Sequence, residues 1–163
     1  MIDAETRALA TRVLDACRAC KWMLATAESC TGGLVAGALT EIAGSSDVVD
    51  RGFVTYSDAA KMAMLGVPEA ILAAHGAVSS QTAEAMATGA LARAGVDLTV
   101  AITGIAGPGG GSAEKPVGLV HFAAAARDGR LVHREKHYGD IGRSEVRRLS
   151  VLEELNMLLE LAA

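Results

Sequence analysis

Three segments of this 163-residue chain have residue types and spacing suited to chemistry. The first is Ala25-Thr-Ala-Glu-Ser29-Cys-Thr-Gly-Gly33. The apolar run Met23-Leu24-Ala25 leads into a hydroxyl-rich turn, and Gly32-Gly33 open an Ala/Leu/Val stretch with helical spacing. That reads as a strand, a tight turn and a helix N-terminus. Backbone N–H groups are unpaired at a helix start, and the helix dipole is positive there. Such a turn can present the Ser29 hydroxyl and hold an anion or an oxyanion. Simple helix capping by Ser29 or Thr31 fits the same residues.

The second segment is Ala43-Gly-Ser-Ser46, followed by Arg51-Gly-Phe-Val-Thr-Tyr56-Ser57-Asp-Ala-Ala-Lys61. Tyr56 and Ser57 end a strand and Lys61 sits on the next helical turn. Strand ends facing a loop are where α/β proteins place ligands. A lysine there acts as a general base if burial or a nearby cation holds it neutral. A solvated lysine on a helix surface is the plain alternative. The third segment, Ala101-Ile-Thr103-Gly-Ile-Ala-Gly-Pro-Gly-Gly-Gly111-Ser112, enters a loop with five glycines in eight residues. Glycines allow positive φ and close backbone approach to a ligand. The loop is neither a G-x-x-x-x-G-K-[ST] phosphate loop nor a G-x-G-x-x-G that opens a helix. Its length, Gly104 to Pro116, is long for a compact domain and favours a functional role over a bare connection.

The elements that must position these segments alternate helix and strand. Helical apolar spacing covers residues 3–19, through Leu9, Val13, Leu14 and Cys17. A buried strand follows at 22–27, a helix at 32–43 ending at Gly44, and a strand from Val48 to Tyr56. Short helices are expected at 58–65 and from Pro68 to Ala74. Ser79-Ser80-Gln-Thr-Ala-Glu84 opens a helix to Ala94, with Ser and Glu read as a capping box. Leu98 to Thr103 is a strand. Val117 to Ala125 and Leu131 to Tyr138 are strands joined by the turn Arg127-Asp-Gly-Arg130. Residues 142–161 form a long last helix. The pattern predicts one domain over 1–163, a three-layer α/β/α fold with a mixed sheet of about five strands.

Composition narrows the function classes. The chain is 51% hydrophobic but 3% aromatic, so its core is built from small and aliphatic residues. Net charge is −4 and Lys and Arg are scattered, which speaks against nucleic acid as a partner. No apolar run reaches the ~18 residues of a membrane span. The acidic, polar N-terminus is unlike a signal peptide, and a cytoplasmic location is expected. Three cysteines argue against a disulfide framework. Cys17 and Cys20, three apart near a helix end, read as buried apolar residues rather than a metal site. His133 and His137 share one face of a strand without zinc or iron spacing, so no metal and no cofactor are expected. The Ala-rich helices point to self-association, most simply as a dimer.

Taken in order, A-E-S-C-T-G-G, G-S-S-x₄-R-G-F-V-T-Y-S-x₃-K, H-G-A-V-S and T-G-I-A-G-P-G-G-G-S-x₂-K-P-V-G resemble the C-terminal domain of the competence/damage-inducible CinA proteins. The resemblance runs from about Ala8 to Leu158. It includes no counterpart of the molybdopterin-binding-like domain of the longer CinA proteins. It implies hydrolysis of the carboxamide of nicotinamide mononucleotide, in pyridine nucleotide recycling, by a serine that a lysine activates. Lys61 is then the base, with Tyr56 as proton relay or hydrogen-bond partner. Ser29 and Ser46 compete as nucleophile; the strand–turn–helix placement favours Ser29, spacing alone does not settle the choice, and the other serine is expected to bind substrate. Thr31, Gly32, Thr103, Gly104, Gly107 and Arg143 become candidate substrate contacts, Arg143 for the phosphate. A non-catalytic nucleotide-sensing module, linked to competence or DNA damage, is the rival reading. It has no need of a lysine held neutral.

Overall fold

The structure, a computed structural model, describes residues 2–163. Every expected element forms, with ends shifted by at most three residues. In chain order they are α1 (Ala4–Cys20), β1 (Leu24–Glu28), α2 (Leu34–Thr40), β2 (Val49–Val54), α3 (Asp58–Leu65), α4 (Glu69–His75), α5 (Ser80–Ala94), β3 (Leu98–Gly104), β4 (Leu119–Ala126), β5 (Leu131–His137) and α6 (Arg143–Ala162). The helix expected from residue 32 starts later because Gly32 and Gly33 take φ of +58° and +104°. Those values lie in the left-handed region, outside the α-helical range.

The five strands form one sheet in the order β2-β1-β3-β4-β5. β1 runs parallel to β2 and β3, whereas β3–β4 and β4–β5 are antiparallel. The chain leaves β1 for one neighbour, β2, and later returns on its other side as β3. Such a reversal opens a crevice at the carboxyl ends of the strands. β1 and β4 are buried along their whole length, as are the first six residues of β3. Two cores result, one on each face of the sheet. α1, α2 and α6 contribute Leu14, Val35 and Leu155 to one. α3, α4 and α5 cover the other, which is lined with Ala27, Ala83, Ala87, Ala101 and Ala123.

That alanine-rich face explains how so few aromatics suffice. Small side chains on both surfaces let α5 lie close to the sheet and to α3. Gly89 marks the closest approach, since a Cβ there would stand 1.9 Å from the backbone oxygen of Leu65. Ser79 caps α5 by accepting from the Thr82 N–H at 3.1 Å. The expected capping box does not form. The third residue after the cap is Thr82, not Glu84, and its hydroxyl donates to the Gly76 carbonyl. Of the cysteines, Cys17 and Cys30 are buried and Cys20 is exposed, so the pair expected to be buried is only half so; all three are free thiols. No helix among the described residues is long and apolar enough to cross a membrane.

Gly89→Ala tests the packing of α5 with a sign that helix propensity alone would get wrong. Alanine in a helix interior normally stabilises by about 1 kcal/mol relative to glycine. Here the added methyl must displace backbone, so the variant should lose about 2 kcal/mol or more. Thermal unfolding that leaves it as stable as the parent would refute the close contact.

Candidate active site

β1 delivers the S-C-T-G-G turn to the crevice. The Ser29 N–H donates to the Ile102 carbonyl at 3.1 Å, so the turn starts from a backbone anchored on β3. The Gly32 N–H closes it by donating to the Ser29 carbonyl at 3.0 Å. Neither Ser29 nor Thr31 caps α2. Glu28 does so instead. Its buried carboxylate accepts from the N–H groups of Val35 at 2.9 Å and Ala36 at 3.0 Å, and from the Thr26 hydroxyl. A carboxylate at a helix N-terminus meets both its unpaired donors and its dipole. The Ser29 side chain is thereby left for other work.

That work involves Lys61. Ser57 caps α3 by accepting from the Ala60 N–H, and Lys61 follows on the first turns of that helix. Its side chain turns inward and is 1% exposed, so it is not a solvated surface lysine. Its Nζ donates to the Thr55 carbonyl at 2.8 Å and lies 3.1 Å from Ser29 Oγ, to which it donates in its protonated form. Burial lowers its pKa below the ordinary 10.5, and the nearby Asp58 and Cys30 only partly oppose that.

Around this pair lies a cavity of about 260 Å³ whose lining includes Ser29, Lys61, Thr103, Gly104, Gly107 and Arg143. The Thr103 hydroxyl donates to the Ala77 carbonyl at 2.7 Å, tying β3 to the segment before α5. Gly104 and Gly107 are walls by necessity: a Cβ at either would come within 3.0 Å of β4 or of Val117. Arg143 crosses the rim, donating to the Gly107 carbonyl at 2.9 Å and to the Tyr56 hydroxyl at 3.0 Å.

Ser29, Lys61, Thr103, Gly104, Gly107, Arg143 and Tyr56 therefore come together, and three other candidates do not join them. Thr31 is buried with its hydroxyl unpartnered and does not line the cavity, and neither does Gly32 in the turn after it. Ser46 sits on a short 3-10 turn, Ser45–Asp47, before the start of β2, whereas Lys61 follows the end of β2. A full strand length separates them, and Ser46 is exposed. Tyr56 is 63% exposed and bonds Arg143; Lys61 has Ser29 and Thr55 as partners instead. Sequence reasoning passed over Glu28, Thr55 and Arg147. Arg147 donates to the carbonyls of Cys30 at 3.1 Å and Thr31 at 3.3 Å. One signal for it was available: Arg143 and Arg147 are four apart, on one face of α6. Among the described residues, no group of three or more His, Cys, Asp and Glu is arranged to hold a metal ion.

A hydroxyl paired with a buried amine at the strand ends of a three-layer α/β protein is the equipment of a hydrolase. The family described as "CinA C-terminal domain" matches residues 6–162. The chain is 51% identical to "Nicotinamide-nucleotide amidohydrolase PncC" of Escherichia coli, over 97% of this chain and 95% of that protein. A "CinA-like protein" of a Synechococcus strain is 52% identical over 95% of the chain, which spans 37% of that longer protein. The solved structure of "competence/damage inducible protein CihA from Agrobacterium tumefaciens" superposes with a TM-score of 0.98 at 57% identity, covering 100% of this chain and 99% of that one. The chain belongs to the CinA C-terminal domain family.

The burial of Lys61 predicts a pH signature. Between its lowered folded pKa and 10.5, the unfolded chain binds more protons at this position than the native protein. Native stability therefore rises with pH across that window, by at most about 1.4 kcal/mol per unit. Below the window the full penalty of the buried amine is present. The stability difference between Lys61→Met and the parent should accordingly shift toward the parent as pH rises. Unfolding measured for both proteins over the alkaline range checks this, and a pH-independent difference would show an amine that titrates normally.

Proposed function

We propose that this chain is an amidohydrolase that cleaves the carboxamide of a nicotinamide nucleotide. Nicotinamide mononucleotide would yield nicotinate mononucleotide and ammonia. The amidohydrolase class rests on the half-identity to PncC along nearly the whole chain. The observation that carries the mechanism is the 3.1 Å contact between Lys61 Nζ and Ser29 Oγ.

A neutral Lys61 keeps one N–H on the Thr55 carbonyl and turns its lone pair to the Ser29 hydroxyl. Ser29 Oγ then bonds to the carboxamide carbon while its proton passes to Nζ. The carbonyl oxygen gathers charge, which N–H groups of the turn at a helix start are suited to stabilise. Gly32 is not among them, because its N–H is already held by the Ser29 carbonyl. Collapse breaks the C–N bond. The Lys61 ammonium protonates the leaving nitrogen, and ammonia departs. Water next attacks the acyl-serine, gives its proton to Lys61, and the C–Oγ bond breaks with return of that proton to Ser29. One residue thus serves as base and then acid twice, which a near-neutral amine does well. Arg143, on the cavity rim, is suited to the substrate phosphate. On this reading residues 1–163 act as one amidase domain, in pyridine nucleotide recycling in the cytoplasm, with Tyr56 shaping the rim through Arg143.

Ammonia release from nicotinamide mononucleotide tests the reading. Ser29→Ala and Lys61→Arg should each lower turnover by about two orders of magnitude or more. Arginine keeps the charge but supplies no neutral amine. Ser29→Ala should still bind substrate, and Ser46→Ala should turn over like the parent. Full activity in Ser29→Ala with loss in Ser46→Ala would reverse the nucleophile assignment.

We also propose self-association with a second copy along the open edge of β2. Val54 and Tyr56 stand exposed there, and Leu34 is exposed on the adjoining helix. β2 lies at the edge of the sheet with one side unpaired, and an unpaired strand edge offers pairing to another chain. Light scattering at micromolar concentration should report at least twice the 16.7 kDa chain mass. A species of one chain alone would rule this out.

A further inference from the structure

We infer that Arg147 is a positioning residue for the nucleophile: it reaches from α6 to fix the two peptide planes that follow Ser29. Its Nε holds the Cys30 carbonyl and its Nη2 the Thr31 carbonyl. In a trans peptide the C=O and N–H point in opposite directions. Holding the Cys30 carbonyl therefore sets the direction of the Thr31 N–H. Holding the Thr31 carbonyl sets that of the Gly32 N–H, which closes onto the Ser29 carbonyl. The turn is thus gripped on one side by Arg147 and at its far end by Glu28, through α2.

Three further observations single out this arginine. Arg148, next on the helix, pairs with Asp3, Glu5 and Glu145. Among the described residues Arg147 pairs with no carboxylate, so its contacts are those with the turn. Second, the guanidinium lies against Gly32, where a Cβ would be 3.5 Å from Nη2. Third, only a planar fork spans two successive carbonyls with fixed geometry; a lysine offers a single point of charge. Arg147 also borders an open cleft of about 350 Å³, shared with Leu34, Ser144 and Val151, so solutes reach it from outside the catalytic cavity.

The inference rests on the amidase reading only for its kinetic test. Parent, Arg147→Met and Arg147→Lys are assayed with nicotinamide mononucleotide, and amide exchange of Thr31 to Gly33 is followed in the same proteins. A displacement of the attacking atom by about 1 Å costs on the order of a hundredfold. Arg147→Met should therefore lose between about tenfold and a hundredfold in kcat with KM nearly unchanged, and Arg147→Lys should fall between it and the parent. Exchange at the turn should rise by about tenfold or more in Arg147→Met, the scale of one lost charged hydrogen bond. Should Arg147→Met fold poorly, Arg147→Ala supplemented with guanidinium below denaturing concentration should regain activity through the open cleft. An active parent with unchanged kcat in Arg147→Met overturns the inference, as does equal loss in Arg147→Lys and Arg147→Met without guanidinium rescue. If the parent itself releases no ammonia, the amidase reading fails. The exchange data then decide alone, and unaltered protection of the turn in Arg147→Met overturns the inference.

Discussion

Lys61 brings an amine into the protein interior with two polar contacts, the Thr55 carbonyl and the Ser29 hydroxyl. An ammonium so placed loses most of its hydration, and a single carbonyl dipole does not replace it. The charged form is disfavoured and the neutral form is not, so burial favours an uncharged amine within reach of a hydroxyl. Much of the surrounding architecture follows from this placement. α3 must start immediately after β2 so that Lys61 turns inward. The Thr55 N–H is tied to the Glu28 carbonyl, so the end of β2 is locked to the end of β1. Lysine and serine are thus placed by two adjacent parallel strands.

The turn between β1 and α2 solves a second problem. A short helix of seven residues has little stability of its own. Ordinarily a hydroxyl in the preceding turn would satisfy its first N–H groups. If Ser29 or Thr31 did so, the hydroxyl that faces Lys61 would be consumed or its turn distorted. Glu28 removes the conflict by capping α2 from the strand end, beneath the turn. The helix dipole is then met by a carboxylate, and the S-C-T-G-G backbone is free to take the left-handed angles at Gly32 and Gly33.

Much of this was legible in the sequence, and the parts that were not share a cause. Helices and strands came from periodicity, strand-end placement brought Ser29, Lys61 and the loop after Thr103 forward, and Arg143 came with the family resemblance. Motif composition also brought Ser46 forward, but Gly-Ser-Ser lies before a strand and Tyr-Ser after it. Sequence proximity to a motif does not reveal which end of the strand faces the crevice. Glu28 was hidden because an acid in a buried strand looks like an anomaly until its N–H partners, seven and eight residues on, are known. Arg147 was hidden because it is 117 residues from the carbonyl of Cys30 that it holds. Local patterns capture capping and amphipathicity; they do not capture which side chain of a distant helix reaches a given turn.

The electrostatics of the two cores also differ in sign. On the α6 side, Glu154 is fully buried with neither carboxyl oxygen hydrogen-bonded, and burial, with Glu28 nearby, holds its pKa well above 4.5. The native protein therefore retains a proton there that the unfolded chain releases, and stability falls as pH rises from 4.5 toward that raised value. Lys61 acts in the opposite sense, because its native form has shed a proton that the unfolded chain keeps up to 10.5. Where the two windows overlap, their slopes cancel in part, and a flat stability profile would conceal both. Each group is exposed only by difference, against a variant lacking it. The two also differ in what burial achieves. A raised pKa makes an acid tolerable in an apolar core at Glu154, whereas the lowered pKa of Lys61 belongs to an amine 3.1 Å from a hydroxyl. The same desolvation acts within an apolar core at Glu154 and beside the cavity at Lys61.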